Sequence, residues 1–165
     1  MKSSVSRHSS ILAIFIAASA VLGIVKVPSP VGSIALDSLP GYFVAGFYGP
    51  VLGAIVGSAG HVASAATGGF PLGPLHIAIA IQMLIWCALF GWLIRRINKT
   101  WGVWLAAVIA ALLNGLVAPF MLIPLGLPSS LAWTLLPFLF AASALNIGLA
   151  SVAIMTTGRL QGNRF

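Results

Sequence analysis

Acidic residues are all but missing. Asp37 is the single carboxylate side chain among 165 residues, and charged residues of both signs make up only 5% of the chain. Soluble domains run near a quarter charged, so a chain this poor in charge cannot cover a core in water. One carboxylate also excludes catalysis by a carboxylate pair. Cysteine is nearly absent too. Cys87 alone, inside an apolar run, excludes an internal disulfide framework and a multi-cysteine metal site. No glycine-rich phosphate loop of the Walker type occurs, so the chain has no means of hydrolysing ATP. The formal net charge of +7 comes from eight basic residues scattered singly or in pairs, without the clustered face that a nucleic acid backbone requires. What is present is apolar: 60% hydrophobic residues and a mean hydropathy of +1.12. The solvent of such a chain is lipid. At roughly 20 residues per bilayer crossing, residues 1–165 form a single domain of about six spans with short loops. The expected fold class is an all-α integral membrane protein, a bundle of six transmembrane helices.

Proline and glycine set the limits of those spans. The basic, serine-rich residues 1–10 lead into an apolar run from Ile11 to Val27, which ends in Lys26-Val27-Pro28-Ser29-Pro30 and lacks a small-residue cleavage site. A retained first helix, stopped by the two prolines, is expected in place of a cleaved signal peptide. A mixed loop follows from Val31 to Pro40. Gly41 to Tyr48 is apolar but too short to cross alone, unless its helix starts near Leu36 and lies deep among others, or is partly re-entrant. Val51 to Thr67, Leu75 to Ile94, Trp101 to Ile123 and Ser129 to Thr157 complete the six, the last tilted or bent near Pro137.

With the N-terminus inside, an even number of spans puts Lys2, Arg7, Arg95, Arg96, Lys99, Arg159 and Arg164 on the inner side and Lys26 on the outer. This bias orients the chain in the cell membrane with both termini cytoplasmic. Trp92, Trp101 and Trp104 flank the inner basic loop, where indole rings favour the headgroup zone.

Polar side chains at membrane depth are costly and mark function by default. Here they are Lys26, Asp37, His61, His76, Gln82, Asn114 and Asn146, with Ser58, Ser64, Thr67 and Ser143 as weaker members. Lys26, Asp37, His61, Thr67 and His76 fall in the outer half, which describes a pocket opening outward; a continuous pore would need polar lining through both halves. Each residue also has a plainer role open to it. Asp37 could cap the helix beginning Ser38-Leu39-Pro40, and Lys26 could snorkel to headgroups. His61 and His76 could satisfy neighbouring carbonyls, while Asn114 and Asn146 could be interhelical glue worth about 1 kcal/mol each. The row Gly49, Gly53 and Gly57 suits close helix packing, either within the chain or between copies as a self-assembling channel. Gly57-Ser58-Ala59-Gly60-His61 places a hydroxyl near an imidazole, but without a third group to orient them as a nucleophile and base. No metal or cofactor is expected.

Ala13-x-x-x-Ala17 on the first span, the proline-rich first outer loop leading to Gly32-Ser33-Ile34-Ala35-Leu36-Asp37-Ser38-Leu39-Pro40, and Tyr48-Gly49-Pro50-Val51-Leu52-Gly53-Ala54-Ile55-Val56-Gly57 resemble the substrate-binding S components of energy-coupling factor (ECF) vitamin transporters. The resemblance spans nearly the whole chain. It implies six helices, a T component that meets Ala13 and Ala17, two ATPase subunits, and outer loops near Pro28 to Leu39 and Gly68 to Pro74 that close over the substrate. Leu36-Asp37-Ser38, Gly60-His61 and Gly69-Phe70-Pro71-Leu72-Gly73-Pro74-Leu75-His76 are most similar to the α-ribazole branch, a cobamide-precursor transporter, with Gln82 where the related pattern Ile-Ala-x-Glu-Met has an acid. That likeness implies a dimethylbenzimidazole riboside whose flat ring stacks on Phe70 or Trp133 and whose ribose bonds Asp37, His61 and His76. Gln82, Asn114 and Asn146 complete the expected substrate-binding set.

Overall fold

The computed structural model describes the backbone of residues 2–29 and 32–160 and the side chains of 6–25 and 35–158. Among the described residues seven α-helices form six rods. These are α1 (Lys2–Leu22), α2 (Leu39–Phe47), α3 (Pro50–Thr67), α4 (Leu75–Ile97), then α5 (Thr100–Leu112) running into α6 (Ala118–Met121), and α7 (Ser129–Leu160). Among the described residues four rods are long and apolar enough to cross a membrane: α3, α4, the combined fifth rod over Thr100–Leu125, and α7. The apolar part of α1, Ser6–Leu22, is shorter, and α2 is shorter still. Large apolar side chains such as Ile14, Val51, Ile77 and Val108 point outward, as lipid-facing residues do.

The first span ends earlier than its prolines suggest. α1 stops at Leu22, and Lys26–Ser29 (β1) pairs antiparallel with Gly32–Ala35 (β2), with Pro28 opposite Ser33. The chain leaves the helix at Gly23, whose N–H still reaches the Ser19 carbonyl, and a two-stranded ribbon has open edges that tolerate a proline. The expected loop is therefore a β-hairpin strap. The Lys26 side chain, and with it the snorkelling role, lies outside the described residues.

Nine residues of α2 rise only about 13.5 Å. α2 lies at the centre, against α1, α3, α4 and α7, and seven of its nine residues are buried. Glycine makes this possible. A Cβ on Gly53 would lie 2.2 Å from Ala45 Cα, and one on Gly41 would lie 2.6 Å from Gly57 Cα. Gly41 thus faces Gly57 and Ala45 faces Gly53, in an antiparallel hairpin that turns at Tyr48-Gly49-Pro50. At that turn Gly49 has φ +128° and the Arg95 guanidinium donates to the Tyr48 carbonyl at 2.9 Å. Gly53 and Gly57 are consumed by packing within the chain, against Ala45 and Cys87, and are not displayed to a second copy.

A π-helical turn, Leu113–Val117, joins α5 to α6. Pro119, just beyond it, has no N–H to offer the preceding turn, which accounts for the local widening. Arg95 and Arg96 end α4 at the basic end of the bundle, where Asn98 closes the helix in the left-handed conformation at φ +50°. The strap and the loops over 68–74 and 122–128 gather at the opposite end.

Candidate functional site

Because α2 fills only part of its column, space remains above its N-terminus. A cavity of about 390 Å³ occupies it, bounded by Ala35, Asp37 and Ser38 leading into α2, by α3, α4 and α7, and by the π-turn. The helical hairpin supplies the first polar pair: one step of four residues beyond Gly41 and Gly57, the same register brings Asp37 opposite His61. His61 Nδ1 lies 3.2 Å from Asp37 Oδ2. On its other side His61 Nε2 lies 3.1 Å from His76 Nδ1, and the Leu72 N–H donates to His76 Nε2 at 3.3 Å.

The direction of this ladder follows from its ends. A backbone amide can only donate, so His76 Nε2 is unprotonated and its proton sits on Nδ1. Nδ1–H then donates to His61 Nε2, which leaves the second imidazole proton on His61 Nδ1, donated to the carboxylate. Each imidazole thus donates through Nδ1 and accepts through Nε2, and each ring nitrogen has a partner. Asp37 Oδ2 is engaged, and Oδ1 has no protein partner among the described residues. Asp37 does not cap α2. Its neighbour Ser38 makes no side-chain cap bond either.

That cap comes from α7. Asn146 Oδ1 accepts the Leu39 N–H at 2.9 Å, while its Nδ2 donates to Ala142 O at 2.9 Å and to Ala35 O at 3.5 Å. Asn146 lines the cavity, but its amide is committed to holding the start of α2 and the end of the strap. Gln82 Nε2 donates to Ala118 O at 3.1 Å, and Asn114 Nδ2 to Ser143 Oγ at 2.8 Å. Both residues line the cavity with their carbonyl oxygens unpaired among the described residues.

Phe70 and Trp133 stand apart. Phe70, at φ +51° in the 68–74 loop, meets the His76 ring edge-on at 5.6 Å and does not line the cavity. Trp133 is 66% exposed and packs on Phe120 at 4.8 Å, away from the cavity. The inward stripe of α7 runs Leu135, Leu139, Ala142, Ser143 and Asn146, a helical period that leaves position 133 on the outer face. A flat ring in this cavity would meet Ile79, Met83, Leu135 and Leu139 instead. These four were not singled out from sequence, although Ile79 and Met83 follow His76 at helical spacing on one stripe.

Among the described residues no group of three or more His, Cys, Asp or Glu could hold a metal ion. The His61 nitrogens face Asp37 and His76 on opposite sides of one ring, so the three side chains form a ladder and not a cage. Ala13 and Ala17 sit on the exposed face of α1.

The fold and the site together define a small membrane protein with a solute-sized pocket among its helices. Over residues 9–157 the chain matches the family of the ECF transporter, substrate-specific component. The chain belongs to that family, whose members are transport subunits that take a small-molecule substrate and work with T and ATPase components. No curated protein matches it.

Proposed function

We propose that the cavity captures α-ribazole, or a closely related cobamide precursor, from outside the cell and releases it inward when the chain couples to its T component and two ATPase subunits. The observation that carries this reading is the Asp37–His61–His76 ladder on one wall of an otherwise largely apolar chamber. A dimethylbenzimidazole riboside has matching halves. Its flat ring suits the aliphatic wall of Ile79, Met83, Leu135 and Leu139, and its ribose hydroxyls can donate to Asp37 Oδ1 and to the Gln82 and Asn114 carbonyl oxygens. A chamber of about 390 Å³ is on the scale of a nucleoside-sized ligand, far below a complete corrinoid.

The basic end of the bundle carries Arg7, Arg95, Arg96 and Lys99, which supports an orientation with that end, and both termini, in the cytoplasm. The pocket end then faces outward, with the strap and the 68–74 loop over its mouth. Ala13 and Ala17 present a small-residue face on α1 suited to close approach by helices of the T component.

The test is a binding titration of the purified chain in detergent, without any ATPase, against α-ribazole, dimethylbenzimidazole, cobalamin, thiamine, biotin and riboflavin. Saturable binding of α-ribazole, weakened at least tenfold by His61→Ala, is expected: the variant releases Asp37 from the ladder that aims it at the ligand, and tenfold corresponds to about 1.4 kcal/mol, the scale of one hydrogen bond to a charged group. Folded protein that binds another vitamin in place of α-ribazole overturns the ligand assignment. Folded protein that binds none of them overturns it as well.

A further inference from the structure

We infer that this pocket selects its ligand by hydrogen-bond polarity, accepting neutral or cationic molecules rich in donors and rejecting anionic forms of the same molecules. The inference deepens the proposed function and rests on this cavity being the capture site. It does not rest on the ligand being α-ribazole.

The polar groups of the chamber are spent unevenly. Both histidine N–H groups, both amide N–H groups of Asn146 and one N–H each of Gln82 and Asn114 already have a protein acceptor. His76 Nδ1–H points to His61, and His61 Nδ1–H to Asp37. Gln82 Nε2 points to Ala118 O, Asn114 Nδ2 to Ser143 Oγ, and Asn146 Nδ2 to Ala142 O and Ala35 O. What these side chains leave for a ligand is mostly acceptor oxygen, Asp37 Oδ1, Gln82 Oε1 and Asn114 Oδ1, against one remaining amide N–H on each of Gln82 and Asn114. The hydroxyls of Ser38 and Ser64 also line the chamber and can serve in either role.

Charge acts in the same sense. Asp37 brings the one formal negative charge in the chain, and among the described residues no Lys or Arg side chain lines the cavity. A phosphate or carboxylate placed here would face a like charge in surroundings of low dielectric and, among the described residues, would find as donors only hydroxyls, backbone and the two remaining neutral amide N–H groups, with no cation. An interior hydrogen-bonded on one side only is costly, so the mismatch acts against the anion as a repulsive element of specificity. The ladder makes this polarity a fixed property of the fold. Its direction is set by the Leu72 amide, and neither histidine can turn a donor toward the ligand without breaking a bond to protein.

The experiment compares matched pairs on the full chain in detergent: α-ribazole with its 5′-phosphate, riboflavin with its 5′-phosphate, thiamine with its monophosphate, and biotinamide with biotin. For every pair that binds, the neutral or cationic member is expected to bind at least 100-fold tighter. Asp37→Asn removes the charge with little change of shape and is expected to narrow that ratio at least tenfold, a response that a simple size limit would not show. If Asp37→Asn does not fold, the wild-type ratios decide alone. An anionic member binding as tightly as its partner overturns the inference, as does a folded Asp37→Asn protein with an unchanged ratio. Failure of all neutral and cationic members to bind overturns it too. If α-ribazole fails while riboflavin or thiamine binds with the expected ratio, the inference stands and the α-ribazole reading falls.

Discussion

Gly53 and Gly148 look alike in sequence: each sits within a helix, in an apolar stretch, with small residues nearby. Their alanine variants are expected to behave oppositely. A Cβ at Gly53 would lie 2.2 Å from both Ala45 Cα and Ala45 Cβ, whereas one at Gly148 meets nothing within 4 Å. An ordinary carbon contact is about 3.5–4.0 Å, so Gly53→Ala must push α2 away from α3 by roughly 1.3–1.8 Å. No flexible side chain can absorb that shift, because the obstacle includes backbone. Overpacking of this kind costs about 1–3 kcal/mol, set against a helix-propensity gain of about 1 kcal/mol. The displacement matters more than the energy. Asp37 and His61 belong to the same hairpin register, and their 3.2 Å contact would open beyond hydrogen-bonding range. In detergent, Gly53→Ala is expected to weaken ligand binding at least tenfold, with a thermal midpoint at or below that of the wild type. Gly148→Ala is expected to bind normally and melt unchanged or a few degrees higher, by the propensity term alone. Normal binding by Gly53→Ala would refute the argument that the glycine hairpin sets the register of the site.

Asn146→Ala strips the acceptor from Leu39 N–H and the donor from two carbonyls, and is expected to cost about 2–4 kcal/mol, read as a lower thermal midpoint with or without ligand. Ala13→Trp and Ala17→Trp, on an exposed face, are expected to abolish uptake in cells while leaving binding to the purified chain intact; wild-type uptake in both would remove α1 from the T-component interface. Trp133→Ala is expected to leave the binding constant within twofold of wild type, since Trp133 lies outside the cavity wall. Acidification adds a proton that the ladder has no place for: a second N–H on His76 would face the Leu72 N–H, donor against donor. The protection factor of the Leu72 amide, taken against its pH-dependent intrinsic exchange rate, is therefore expected to drop reversibly as the pH falls, and an unchanged protection factor would contradict the assigned tautomers.

The polar pocket was legible because its residues are expensive in lipid and few. Asp37, His61, His76, Gln82, Asn114 and Asn146 stand out of an apolar chain, and all six line one cavity. Their division of labour was not legible. Asn146 caps a helix 107 residues earlier in the chain, a contact that no local pattern encodes. Asp37 next to a helix start has the local signature of a cap, and tertiary register overrode it. Trp133 and Phe70 were chosen for their rings, but a stretch apolar on every face does not reveal which residues of α7 turn inward, and a loop residue at positive φ has no period to follow. Span limits near charged and glycine-rich ends, such as Arg95-Arg96 and Asn98, were readable. The strap was hidden because prolines mark where a helix cannot continue, not that it has already ended at Leu22.

The most direct test of the account is the structure of the chain with α-ribazole bound. The benzimidazole ring is expected between Ile79, Met83, Leu135 and Leu139, with ribose hydroxyls within hydrogen-bonding distance of Asp37 and the Gln82 or Asn114 carbonyl oxygens, and the Asp37–His61–His76 ladder intact. A ligand seated elsewhere, or one that reaches this cavity with its ribose turned away from Asp37, would contradict it.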